Sequence, residues 1–291
     1  MISFNSTVLP IGIPLVKQYK NLLKTDLFLE MESFSSTFLE NHWKTLKNYR
    51  RRWVADPFHQ WSRQWEYPFV YSYIQQYVIS NNNYIHAGDK IRILDAGSGC
   101  TFFPYYLSYK IPNCKVYCCD NDPSLSPLFI DINKKMNMEV EFNVYDLEKL
   151  RYKDNIFDII YCISVLEHTC NYVDIIKQFK CVLNPHGLLI VTFDIAVDNK
   201  TTIDWAQGLL SELDNKFRAT INSCKYSSET FKSLTLTTEF ARTFDKKLLP
   251  WKLTWASFAG QLLKLKRPKI PFHNLTIFCG VWKEDRTTTQ S

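Results

Sequence analysis

The 291-residue sequence predicts a doubly wound, mostly parallel α/β sheet with a helical region before it and a helical insertion near its end. Three observations carry that expectation. Short apolar runs alternate with helix-patterned segments between Ile91 and Asp194, and the runs are apolar almost throughout, as strands covered on both faces must be. The first run also ends in a glycine turn that opens a helix, the entry to a βαβ unit.

The elements follow in order. Residues 1–88 are rich in Trp, Tyr, Arg and Ser without strand alternation, and read as an N-terminal helical cap. One helix, capped by Ser35 or Ser36, runs through TFLENHWKTLKNYRRRW; a second covers EYPFVYSYIQQYVIS, with Pro68 tolerated in its first turn. SNNNYIHAGDK, from Ser80 to Lys90, is a polar loop. The core, 89–194, then offers five strand candidates: IRILDAG, KVYCCD, VEFNVYD, FDIIYCIS and GLLIVTFD. Helices are expected through PYYLSYK, from Ser124 to Met136, and through VDIIKQFKCVL. After Asp194 the alternation stops; residues 195–270 read as an insertion covering the substrate, and LTIFCGVW opens a terminal segment, 271–291, as one more strand.

Composition narrows the function classes. The chain is 46% hydrophobic and 22% charged, with a formal net charge of +6, ordinary for a globular protein. Its basic runs, YRRRW from Tyr49 and KLKRPK from Lys264, read as solvated faces, which disfavours nucleic acid as a partner. A membrane surface is a minor candidate, suggested by Trp251, Trp255 and Phe258 among lysines. The nine cysteines are odd in number, form no C-x-x-C, and lie partly in apolar runs, so reduced thiols in a cytoplasmic protein without a bound metal are expected. The N-terminal stretch lacks a basic leader and an unbroken apolar run, so neither a secretion signal nor a membrane span is expected.

The glycine turn, ILDAGSGCTFFPYYL, decides the ligand class. Gly97 and Gly99 permit positive φ and close approach of a ligand to the backbone. A dinucleotide fingerprint needs a third glycine at position 102, which here is Phe102. Asp95, two residues before the first glycine, would repel a pyrophosphate and suits a cationic ligand. Asp120 closes the second strand, 21 residues beyond Gly99, where a carboxylate can accept hydrogen bonds from ribose hydroxyls.

DAGSGCT resembles motif I of the class I S-adenosylmethionine-dependent methyltransferases, with Thr101 at the third small position. VYDLEKL, NIFDIIYCISVLEHT and VLNPHGLLIVTFD follow at the intervals of that family's later motifs, and the LEH variety resembles its small-molecule "methyltransferase type 11" group. The resemblance implies a seven-strand Rossmann-like core with S-adenosyl-L-methionine as cofactor. It implies donor contacts from Asp95, Gly97, Gly99, Asp120, Asn121, Asp146, Leu147 and Ser164. Arg63 is a candidate partner for the methionine carboxylate and Tyr67 for the sulfonium, by cation–π attraction. His168 is the first candidate general base and Glu167 the second. The expected acceptor is a small molecule, with oxygen slightly favoured, because the fourth strand ends in CISVLEH rather than a signature for planar exocyclic amines. The alternatives are a non-catalytic partner subunit or sensor on the same fold and, behind it, an NAD(P)-dependent oxidoreductase.

Overall fold

The computed structural model describes residues 8–52, 56–81, 90–220, 234–249 and 274–284. Strands β1 (Ile91–Ala96), β2 (Cys114–Asp120), β3 (Glu141–Val144), β4 (Phe157–Ile163), β5 (Leu183–Ala196), β6 (Arg218–Ala219) and β7 (Leu275–Lys283) form one seven-stranded sheet in the order β3-β2-β1-β4-β5-β7-β6. The first five pair in parallel, while β7 runs antiparallel to both β5 and β6.

Both faces are covered, which explains the unbroken apolar strands. Ile93, Cys118, Ile159 and Ile190 point into a core shared with α4 (Arg63–Asn81), α5 (Phe103–Lys110) and α6 (Ser126–Met136). The alternate residues Leu94, Cys119, Ile160 and Leu189 point into a second core with α7 (Tyr172–Val182) and α8 (Lys200–Lys216). The side-chain alternation of a strand thus feeds two apolar layers, and no face of the central strands is left for water.

Helices α1 (Val16–Leu22), α2 (Asp26–Asn41) and α3 (Trp43–Arg52) precede α4, and α9 (Thr238–Phe244) lies late in the chain. The first expected helix is in fact two. Thr25 caps α2, its hydroxyl accepting from the Phe28 N–H at 3.2 Å, so Ser35 sits buried in mid-helix instead of at an N-cap. The helix ends at Asn41 and restarts at Trp43 around His42. Pro68 also falls one turn deeper than expected, because α4 already begins at Arg63, with Ser62 accepting from the Trp65 and Glu66 N–H groups. The two-residue β6 has no sequence signal at all. The loop expected over 80–90 and the aromatic segment around Trp251, Trp255 and Phe258 lie mostly outside the described residues.

Candidate active site

The glycine turn is pinned to the next strand before it reaches any ligand: the Gly97 and Ser98 N–H groups both donate to the Cys119 carbonyl, at 2.9 and 3.0 Å. Gly97 and Gly99 have φ of 80° and 53°, the left-handed region that favours glycine. The space beside them is filled by protein. A Cβ on Gly97 would lie 2.7 Å from Val165, and one on Gly99 would overlap the hydroxyl of Tyr49.

At the end of β2, Asp120 accepts from the Gly99 N–H at 3.0 Å with one oxygen and from the Asp122 N–H at 3.1 Å with the other. The carboxylate is fixed in place, and each oxygen retains acceptor capacity for a further donor. Asn121 is exposed beside it. Beyond β3, Asp146 is exposed and spends one oxygen on the Glu148 N–H, capping the turn that contains buried Leu147. These residues gather at the carboxyl ends of β1, β2 and β3.

Asp95 is only 5% exposed within β1. Burial pushes its pKa up to about 8; the Tyr161 hydroxyl opposes this, without the geometry of a full hydrogen bond, while Asp120 adds to it and Arg63 opposes it. A buried carboxyl with so little local compensation fits a cationic ligand. With Asp120 facing the same turn, the donor set suits a positively charged nucleoside such as S-adenosylmethionine.

A second cluster stands at the ends of β4 and β5. Glu66, on α4 and fully buried, accepts from Ser164 Oγ at 2.7 Å and Thr192 Oγ1 at 2.6 Å, and its other oxygen is paired with Arg63. Arg63 also donates to Ser164 Oγ at 2.6 Å. Ser164 itself has φ of 47°, costly for a side chain with a Cβ and held by this network. Arg63 is therefore anchored, its charged form favoured by Glu66 against the penalty of burial.

Next to it, Glu167 accepts from the Asp194 N–H at 3.2 Å with one oxygen, while the other, like one oxygen of Asp194, is buried without a hydrogen-bond partner among the described residues. Burial raises the Glu167 pKa well above normal and that of Asp194 to about 7, and Asp194 raises Glu167 further by charge repulsion. His168 lies at the surface, and partial desolvation of its ring, followed by the Arg63 charge, lowers its pKa. Tyr67 is enclosed by Phe103 and Phe102, centroids 4.8 and 5.1 Å away, with Phe58 stacked at 6.5 Å. That packing leaves its ring faces to other rings.

The structure thus brings Arg63, Ser164, Glu167 and the glycine turn to one edge of the sheet and adds Glu66, Thr192, Asp194 and Tyr49, none of which the motifs singled out. Thr192 and Asp194 carried a signal, being polar residues inside an otherwise apolar strand. Glu66 carried a weaker one, as an acid among aromatic neighbours. Among the described residues no cluster of His, Cys, Asp and Glu could hold a metal ion, and no helix is long and apolar enough to cross a membrane.

Comparison with known proteins finds similarity across the central strands. Residues 94–191 match the family described as "Methyltransferase domain". A curated relative, tRNA U34 carboxymethyltransferase of Nautilia profundicola, is 32% identical over 60 residues, 21% of this chain and only 20% of that protein. Among solved structures, the [4+2]-cyclase SpnF shows 15% identity over 72% of this chain and 80% of its own, with a TM-score of 0.46. A SAM-dependent methyltransferase from Aquifex aeolicus shows 19% identity over 49% and 80%, with a TM-score of 0.40. Phosphoethanolamine N-methyltransferase 2 of Haemonchus contortus, crystallised with S-adenosyl-L-methionine, shows 12% identity over 73% and 53%, with a TM-score of 0.43.

Proposed function

We propose that the chain, whose residues 94–191 match the family described as "Methyltransferase domain", is an S-adenosylmethionine-dependent methyltransferase that moves the methyl group to a hydroxyl of a small molecule bound beside β4 and β5. The observation that carries this reading is the half-buried pair Glu167 and Asp194, each with a buried carboxyl oxygen that has no hydrogen-bond partner among the described residues, beside the anchored Arg63. When bound, the sulfonium supplies an electrophilic methyl carbon. Asp120 holds the ribose, and Asp95 faces the cationic end. Arg63, fixed by Glu66 and Ser164, offers its remaining N–H groups to the methionine carboxylate. Asn121, Asp146 and Leu147 border the adenine.

A hydroxyl acceptor must lose its proton as the new bond forms. Burial and charge repulsion raise the proton affinity of both carboxyls, so either one in its ionised form is a strong acceptor for that proton. The raised proton affinity of that pair, against the lowered one of His168, favours Glu167 over His168 as the base.

Calorimetric titration with S-adenosylmethionine and with NAD tests the donor: binding of the first alone is expected, weakened by about 1–3 kcal/mol in Asp120→Ala through loss of charge-assisted hydrogen bonds. Small-molecule pools are then screened for a donor-dependent gain of one methyl. With the acceptor in hand, Glu167→Gln should lower turnover by about 10²-fold or more with donor affinity retained, whereas His168→Ala should not. Donor binding with no methylated product in any pool would favour the non-catalytic sensor instead.

A further inference from the structure

Tyr49 belongs to the run YRRRW, whose composition reads as a solvated basic face, yet its side chain turns inward from α3 onto the glycine turn. Its hydroxyl accepts from the Cys100 N–H at 3.1 Å. It also fills the space that a Cβ on Gly99 would need, so the glycine is required by this tyrosine as well as by the turn. The Gly99 N–H is meanwhile committed to Asp120. Hydroxyl and carboxylate therefore flank the same turn, and Asp120 and Tyr67 are both among the groups whose charge the Tyr49 hydroxyl feels.

The hydrogen bond from Cys100 uses a lone pair of the tyrosine oxygen and leaves its proton without an acceptor among the described residues. Burial pushes the Tyr49 pKa up, so that proton stays in place at any working pH. A ribose hydroxyl held by Asp120 donates its hydrogen bond to the carboxylate and presents its oxygen as an acceptor. A donor is then needed from the other side.

We propose that Tyr49 is a donor-binding residue contributed by the N-terminal helices: its O–H donates to a ribose oxygen of the nucleoside whose hydroxyls Asp120 accepts, and α3 thereby closes the ribose end of the pocket. This rests on the S-adenosylmethionine reading of the site. It assigns the cap a part in binding.

The test is calorimetric titration of S-adenosylmethionine, S-adenosylhomocysteine and 5′-methylthioadenosine into the wild-type protein, Tyr49→Phe, Asp120→Ala and the double variant. Tyr49→Phe keeps the ring and removes only the hydroxyl, and its thermal transition without ligand confirms that it folds. We expect it to weaken all three ligands by the same factor, about five- to tenfold. In Asp120→Ala the same substitution should have a smaller effect, because the two residues act on one hydroxyl pair. Unchanged or tighter binding by Tyr49→Phe overturns the proposal, the second by showing that the hydroxyl excludes the ligand. Loss confined to the two amino-acid-bearing ligands, sparing methylthioadenosine, overturns it too, by placing the contact at the methionine end. Wild-type protein that binds none of the three, or an Asp120→Ala variant that binds all of them unchanged, rejects the donor reading itself, and with it this inference.

Discussion

Asp95 sets a pH dependence that can be worked out from its surroundings. Its pKa near 8 in the folded protein lies well above that of an exposed aspartate, so the folded chain holds a proton that the unfolded chain releases from about pH 4 upward. Stability contributed by this group is therefore present at pH 4 and is lost as pH rises through 8. A cation placed against the carboxyl favours its ionised form and drives the proton off. Donor binding at pH 7 should consequently release close to one proton, seen as a dependence of the binding enthalpy on buffer ionisation, and affinity should rise from pH 6 to 8. Asp95→Asn should abolish the proton release, weaken the donor, and raise the melting temperature at pH 8 relative to the wild type. Equal buffer dependence in wild type and variant would show that the proton comes from elsewhere.

At the scale of elements, the junction between α4 and the sheet hangs on one carboxylate. Glu66 gathers Ser164 from the end of β4, Thr192 from β5 and Arg63 from its own helix. Glu66→Ala would strand Arg63 in a mostly buried position and leave two hydroxyls unanswered, a loss of about 3–5 kcal/mol measurable by urea denaturation. A loss below 1 kcal/mol would mean that water reaches this junction freely. The same junction marks where sequence reading stops. The strands β1, β2, β4 and β5 are legible because burial on both faces leaves a continuous apolar run, and the order of motifs after them is legible because spacing is fixed by the βα repeat. Glu66 is not, because nothing local in WEYPFVY distinguishes a buried acid from a helix-opening one. The α2 and α3 boundary is equally hidden: Ser35 and Ser36 are adequate caps, but Thr25 caps the helix ten residues before the first of them and the serines are carried into its interior. Tyr49 reads as part of a charged face for the same reason, since the direction of a side chain is decided by what the helix packs on.

For the whole molecule, the sheet joins segments that are far apart in sequence. β7 enters between β5 and β6, pairing with the fifth strand from Leu188, opposite Lys283, to Ala196, opposite Leu275. Beyond its end, Glu284 is buried and receives Lys180 Nζ at 2.9 Å, tying α7 to the same edge. At its middle, Cys279 exchanges backbone hydrogen bonds with Gly12 at 2.8 and 3.1 Å. A chain stopped before Leu275 should leave the β5 edge open and the apolar layer around Phe278 and Trp282 unfilled, and should partition into the insoluble fraction where the full chain does not. Soluble, ligand-binding truncated protein would show that the first five strands suffice. The placement of β7 also has a consequence for how the protein is made. The strand that covers β5 is synthesised after every other strand of this sheet, so on the ribosome the β5 edge stays bare until β7 has followed. Until β7 pairs, that unpaired edge is exposed to other chains and to the chaperones that shield it.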